Sequence, residues 1–323
     1  MVRYLFFRLL HMIPLLLGIS FIAFGVLHLA PGDFFTQFYQ NPSISQETLD
    51  RMRAQFGFDR PWYVQYLLWL NNAVHLNFGY SLENHVPVTQ LLWERMGNTL
   101  LLSLCSLVLS WGLAIPLGIL AGVRRNTLLD RLISLGAFAG ISIPGFFLAL
   151  LLLMLAQRTG WFPVGGMHSI NADYMSPWGR FVDLLHHLAL PVLVVTTAGF
   201  AGILRQMRGS LLDVLRENFV TAARARGLAE RKVIFKHAAR NAINPLVTVF
   251  GFSLASLLSG SALVERVMQW PGLGQLILAA VLSKDLYLVM GSFVMAAMLL
   301  LLGNLIGDLL LYATDPRIKV QAT

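Results

Sequence analysis

Six apolar runs, each long enough to cross a bilayer as a helix, constrain this chain more than any other feature: Leu9–Leu29, Thr99–Gly122, Leu132–Ala156, Leu188–Leu204, Ala242–Val264 and Leu286–Leu311. A hydrocarbon core of about 30 Å calls for roughly 20 residues at 1.5 Å per helical residue. None of the runs has the strict two-residue alternation of a barrel strand, so the expected fold is all-α, a polytopic bundle of six transmembrane helices. Composition agrees, since a chain that is 56% hydrophobic and only 12% charged could not present a soluble surface over 323 residues. The fourth run is short and carries Pro191, Thr196, Thr197 and Gly199. Without it, however, the next basic loop would fall on the wrong side of the membrane.

Most of the 24 Lys and Arg residues gather on one predicted face. They stand at the N-terminus (Arg3, Arg8), between runs two and three (Arg124, Arg125, Arg131), between runs four and five (Arg205 to Arg240) and at the C-terminus (Arg317, Lys319). Positive charge marks the cytoplasmic face, so both termini and the loop at about 205–241 are expected there. The opening MVRYLFFRLLHM has the basic flank of a signal peptide, but the apolar run is long and no small-x-small site closes it. It reads as an uncleaved first span. The chain then divides into 1–29, an extracytoplasmic segment 30–98, a core of five spans at 99–314 and a tail at 315–323. In the external segment, Ser43-x-x-Gln46 opens SQETLDRMRAQFGFDRPW as a short helix with a capping box, and Trp62, Tyr63, Tyr66 and Trp69 read as an aromatic belt.

Several chemistries find no residues to carry them. No lysine follows a glycine, so there is no phosphate-cradling G-x-x-x-x-G-K-[ST] loop, and energy has to come from another chain or an ion gradient. Intramembrane hydrolysis lacks its H-E-x-x-H, G-x-S-G or G-x-G-D signature, and no catalytic residue is assigned. His186-His187 has no third ligand nearby in sequence, so no metal site is assigned. A gradient-driven carrier would bury acid and cation pairs in several spans, whereas Asp308 is the one carboxylate well inside a predicted span. The single cysteine, Cys105, excludes an intramolecular disulfide.

Hydroxyls within spans mark either a polar passage or close helix packing. Ser103, Ser106 and Ser110 share one face of the second run, and Ser253, Ser256 and Ser259 share one of the fifth, which makes them candidate pathway-lining residues. Pro116, Pro144, Pro191 and Pro245 are candidate hinges.

The basic stretch VTAARARGLAERKVIFKH, from Val220 to His237, lies within the predicted cytoplasmic loop. Leu211, Leu215, Phe219 and Ala222 or Ala223 recur along one helical face, with Arg216, Arg224 and Arg226 turned away. Gly227 suits a left-handed C′ position, and a second short helix is expected from Glu230 to Asn241. Periodicity alone leaves two readings open: a basic amphipathic helix on anionic membrane lipid, or a docking helix for a soluble partner. Nucleic acid is a poor fit, because the basic residues interleave with an apolar face that needs burial.

The run from Glu217 through Gly227-Leu228, followed by His237-Ala-Ala-Arg-Asn-Ala-Ile-Asn-Pro245, resembles the EAA loop of bacterial ABC importer membrane subunits, more narrowly the dipeptide, oligopeptide and nickel permease branch. Pro31-Gly-Asp33, Phe78-Gly-Tyr-Ser81, Ser142-Ile-Pro144, Trp270-Pro-Gly-Leu-Gly274 and Asp315-Pro-Arg317 extend the resemblance over nearly the whole chain. Thr221 stands where the general EAA pattern has Glu, and Pro245 lies farther from Gly227 than in the shorter general form. The resemblance implies a coupling helix seated in a cytoplasmic ATPase, with Leu215, Phe219, Ala222, Ala223 and Gly227 at the dock. It further implies a second homologous permease, two ATPase subunits that bind ATP and Mg in place of any cofactor on this chain, and an extracytoplasmic binding protein. The cargo it implies is a short peptide or a related solute such as glutathione or a nickel chelate. The break at Trp270 to Gly274 precedes Gln275–Leu282, which is too short to cross and is expected to re-enter. By resemblance Trp270, Pro271, Gly272 and Gly274 form a candidate external gate.

Overall fold

The computed structural model describes residues 2–39, 45–247, 249–250, 253 and 262–314, and the side chains of 2–5, 37 and 310–314 lie outside that description. Among the described residues the chain is helical, with no strand beyond one isolated bridge between Tyr80 and Pro87. The N-terminal helices are α1 (Val2–Leu29), α2 (Gln46–Gln55), α3 (Trp62–Val74) and α4 (Val88–Val123), with a 3₁₀ turn at Phe34–Phe38. Next come α5 (Leu128–Ser142), α6 (Gly145–Thr159), α7 (Pro177–Val214) and α8 (Asn218–Ala225). Two short pieces, α9 (Glu230–Lys232) and α10 (Arg240–Ala242), flank a π-helical stretch, Val233–Ala239. The remainder is α11 (Ala262–Val267), α12 (Leu273–Leu282) and α13 (Leu286–Thr314).

Among the described residues four helices, α1, α4, α7 and α13, are long and apolar enough to span a membrane, or five segments if α5 and α6 count as one broken span. The third predicted span is thus corrected. Instead of a continuous helix, α5 and α6 meet at 99°, because Pro144 cannot donate to the ladder and forces Ile143 into an extended conformation. Pro116 and Pro191 lie inside uninterrupted helices, so they are not breaks. The short fourth run is part of the longest helix, extended at both ends by polar turns and started by Ser176, whose hydroxyl accepts the Gly179 amide at 3.1 Å. Most of the fifth predicted span, with Ser256 and Ser259, and the tail from Asp315 lie outside the described residues.

The chain forms two compact units, Met1–Thr99 with Pro271–Leu301, and Leu100–Trp270 with Leu302–Thr323. In the first unit, Phe34, Phe35, Leu49 and Leu82 form a core joined by Phe38, Phe56 and Phe58. Its short helix begins at Ser45, whose hydroxyl accepts the Thr48 amide; Ser43 lies outside the described residues. Gly32, at φ +76°, turns the chain so that Asp33 caps the 3₁₀ turn and meets Arg53 at 2.8 Å. The aromatic belt is corrected in part, since Tyr66 and Trp69 are buried. The Tyr66 hydroxyl lies 3.0 Å from that of Ser20, so the apolar face of α3 packs on α1 in place of lipid headgroups.

A single closure ends α2, α3, α8, α11 and α12. The residue after the cap is left-handed (Gly57, Leu76, Gly227, Gln269, Lys284), and the next amide reaches back to a carbonyl in the last turn, as in Phe58 to Arg53 at 2.9 Å and Trp270 to Glu265 at 2.8 Å.

Candidate functional site: coupling loop, cavity and break

The second unit holds the loop that the sequence singled out. After Leu215 the chain breaks at Glu217, which is extended (ψ 147°), and α8 starts afresh. The predicted face from Leu211 to Ala223 therefore does not run on one helix. Leu211 is fully buried and Leu215 half-buried, whereas Phe219 and Ala222 are exposed. Ala223 points inward with Val220, and both belong to one core with Val233, Ile234, Ala238, Ala239 and Ala242. Val220 escaped the sequence reading because the break resets the helical register.

Gly227 takes the left-handed position at φ +75°. Its amide donates to Arg224 O at 2.9 Å, and that of Leu228 to Ala223 O at 3.4 Å, while the Leu228 side chain covers the same small core. Arg224 is held across the turn by Glu230, Nη2 to Oε1 at 2.7 Å. That hydrogen bond, followed by the guanidinium charge, lowers the Glu230 carboxyl below its ordinary range. The expected second helix is present as α9, the π-helical stretch and α10. The result is a compact hairpin whose outward face carries Phe219, Ala222 and, beyond the turn, Phe235.

Within the same unit a cavity of about 410 Å³ is lined by Ser110, Trp111, Gly145, Phe146, Gly199 and Ser253, with apolar side chains between them. It brings together one serine from each predicted set. Ser103 and Ser106 are buried instead among packed helices, and the Thr196 hydroxyl donates to Ser106 O at 3.4 Å. The hydroxyls of Ser106 and Ser110 have no hydrogen-bond partner among the described residues. Ser253 bonds back to Val249 O at 2.9 Å, the usual habit of a hydroxyl in a helix.

The four residues of the candidate gate are held by separate means. Trp270 is fully buried in the second unit among Leu102, Val194, Val264 and Met268. In the first unit, Pro271 O accepts from Asn98 Nδ2 at 2.8 Å, and Leu273 N donates to Thr99 Oγ1 at 2.7 Å, which fixes Gly272 and the start of α12, where Gly274 lies. Behind α12, the buried Asp285 accepts from Ser81 Oγ at 2.7 Å and from Leu288 N at 3.2 Å, tying the Phe78-Gly-Tyr-Ser81 motif to the start of α13. Nothing in the sequence pattern had drawn attention to Asn98, Thr99 or Asp285.

The two histidines are engaged locally. His186 Nε2 lies 2.7 Å from Trp161 O, and the His187 ring lies 2.9 Å from Asp183 O. Among the described residues no three His, Cys, Asp or Glu side chains converge on a metal-sized site. Asp308 is half-buried in α13.

Comparison with known proteins extends these features to a family. The description "Binding-protein-dependent transport system inner membrane component" matches residues 114–320, and its N-terminal counterpart matches residues 1–103. Among curated relatives, the oligopeptide transport system permease protein AppB of Bacillus subtilis is 40% identical over 99% of this chain and 100% of its own length. The dipeptide transport system permease protein DppB of Escherichia coli K12 is 34% identical over 99% of each. The di/tripeptide permease DppB of Pseudomonas aeruginosa is 33% identical over 97% of this chain and 98% of its own. With family matches across both halves and relatives aligned end to end, this chain belongs to the binding-protein-dependent transport system inner membrane components, as a multi-pass inner-membrane permease subunit.

Proposed function

We propose that this chain forms half of the translocation pathway of an ATP-driven ABC importer for short peptides or a related solute, and that the α8 hairpin couples it to a cytoplasmic ATPase. The observation that carries this reading is the hairpin: a short helix closed at Gly227, with Val220 and Ala223 buried inward and Phe219 and Ala222 left facing outward. Phe219 and Ala222, which the hairpin's own core leaves uncovered, are where the ATPase docks. Both termini and this hairpin are cytoplasmic, in a six-span topology. A second homologous permease completes the pathway, an extracytoplasmic binding protein delivers cargo, and two ATPases supply ATP hydrolysis, for which this sequence has no phosphate loop. The peptide assignment rests on the names of the full-length relatives.

Ser110 and Ser253 are the leading pathway residues of the two serine sets, as they share the cavity. Trp270 to Gly274 serves as the external gate. Among the described residues, the ion pair of Asp130 with Arg208 is a feature a gradient-driven carrier could use. That pair sits in the first turn of α5 and toward the end of α7, away from the middle of either helix, where an ion relay would need it.

Purification of the tagged chain in gentle detergent tests the proposal. Recovery of a P-loop ATPase and a second permease, with ATP hydrolysis in the preparation, is the expected result. Recovery of the chain alone, active with an ion gradient and indifferent to ATP, would overturn it.

A further inference from the structure

The helix that feeds the coupling hairpin is tied to the broken α5–α6 segment by an ion pair whose carboxylate is buried and whose guanidinium is partly exposed. Asp130, in the first turn of α5, is 4% exposed. Both its oxygens are taken by the Arg208 guanidinium of α7, Nε to Oδ1 at 2.8 Å and Nη2 to Oδ2 at 2.8 Å. The Asn126 amide adds a third bond to Oδ2 at 2.9 Å, with Asn126 itself left-handed at φ +64°. Thr127 caps α5 and donates to Arg124 O at 2.6 Å. The whole turn between α4 and α5 is therefore organised around the carboxylate that holds Arg208.

α7 also approaches α4 closely at two glycines. A Cβ at Gly118 would lie 2.9 Å from Leu204 O, and one at Gly122 would lie 3.0 Å from Leu211 Cδ2. Beyond Arg208, α7 runs straight into the break before α8. At its other end, α5 runs into the 99° bend whose far side, Gly145 and Phe146, lines the cavity. A bidentate guanidinium-carboxylate pair is the stiffest polar joint available here: it fixes orientation as well as distance, and separating it would leave a charge without its partner.

We propose that Asp130 and Arg208 are positioning residues that transmit movement of the coupling hairpin to the α5–α6 bend, and so to the cavity. The inference rests on the ATPase coupling proposed above. It adds a specific route: α8 moves the end of α7, Arg208 carries Asp130 with it, and α5 changes its angle to α6. Neither residue lines the cavity.

The test uses the complete importer complex in nanodiscs, with Cys105 replaced by Ala. Spin labels are placed at Leu135→Cys on α5 and Phe147→Cys on α6, two exposed positions that flank the bend. The label-to-label distance is measured without nucleotide and after trapping with ATP, Mg and vanadate. The expected result is a nucleotide-dependent shift in the otherwise wild-type complex. With Asp130→Asn or Arg208→Lys, nucleotide is still trapped at wild-type levels while at least half of that shift is lost. Arg208→Lys retains the charge and removes only the two-pronged geometry, so it decides the matter if Asp130→Asn does not assemble. A full shift in the variants would overturn the inference, as would trapping without any shift in the unmutated complex; both leave the coupling proposal standing. Failure of the unmutated complex to trap nucleotide at all would instead remove the ATPase reading, and this inference with it.

Discussion

The Thr99 hydroxyl accepts the Leu273 amide at 2.7 Å, and both residues are buried. The first amides of a helix have no partner inside it, and α12 has no side-chain cap of its own at Gly272. A residue from α4 supplies what the local sequence lacks. Thr99→Val keeps the shape and removes the acceptor, so the Leu273 amide is left orphaned at a cost of about 1–3 kcal/mol. Thermal unfolding in detergent should show a clear loss for Val and little for Ser. Equal stability of Val and wild type would mean that another group takes the amide.

Gly227 is a test of backbone conformation alone, because nothing lies within 4 Å of where its Cβ would be. Forcing an ordinary residue to φ +75° costs about 1–2 kcal/mol, more for a β-branched side chain. In the proposed importer, a complex carrying Gly227→Val should assemble at normal abundance and its ATPases still hydrolyse ATP, with transport reduced tenfold or more, whereas Gly227→Asn, which tolerates the left-handed region, should stay near wild type. Transport assays in proteoliposomes beside ATPase rates separate these outcomes, and full transport by the Val variant would remove the role assigned to the turn.

Glu230 has its pKa lowered by Arg224, first through their hydrogen bond and then through charge. A depressed carboxylate contributes its stability above the unfolded-state value, which for Glu is about 4.3, and loses that contribution as pH falls through the lower folded value. Amide exchange across residues 224–232 should thus be independent of pH-linked opening from neutrality down to about that value and speed up below it, after correction for intrinsic exchange. Arg224→Gln should abolish the acid-side change. High salt should shrink it as well, since both side chains are substantially exposed.

Gly165 and Gly136 make a matched pair. At Gly165, φ is +95° and a Cβ would lie 2.8 Å from Met268 O, next to the bond from the Gly166 amide to that same carbonyl at 2.9 Å. At Gly136, in the middle of α5, nothing lies within 4 Å. Gly165→Ala should cost about 1–3 kcal/mol through the clash and the strained backbone. Gly136→Ala should be neutral or stabilising by up to about 1 kcal/mol, because helix interiors favour Ala over Gly. Melting temperatures of the two variants that fail to diverge would count against the described packing of the loop on Met268.

The sequence made the helical class, the location of the hairpin and the left-handed turn at Gly227 legible, because apolar length and glycine each act locally. Helix ends at Leu76, Gln269 and Lys284 were not legible, since these ordinary residues adopt the left-handed position only where the closing amide bonds hold them. The register of α8 was misjudged for a related reason: a periodic pattern running through Leu215 carries no mark of the break at Glu217. Asp130 and Arg208 fell outside the predicted spans because polar residues at span ends look like loop, yet their pairing extends both helices past the apolar runs. Ser110 and Ser253 were legible as hydroxyls on helical faces, but their meeting at one cavity depends on tertiary packing that no spacing rule contains.

The right-angled α5–α6 bend also bears on how the segment lies in a bilayer. Each arm has 15 residues, about 22 Å of helix at 1.5 Å per residue, so neither arm alone reaches across a 30 Å hydrocarbon layer. At the corner the Pro144 carbonyl is taken by the amides of Phe147 and Leu148 at 2.9 and 3.0 Å, and Ile143 between the two arms is extended and outside either helical ladder. A bend of this kind is tolerated only where protein or a polar cavity covers the break, and α7, which packs on both arms, supplies that cover.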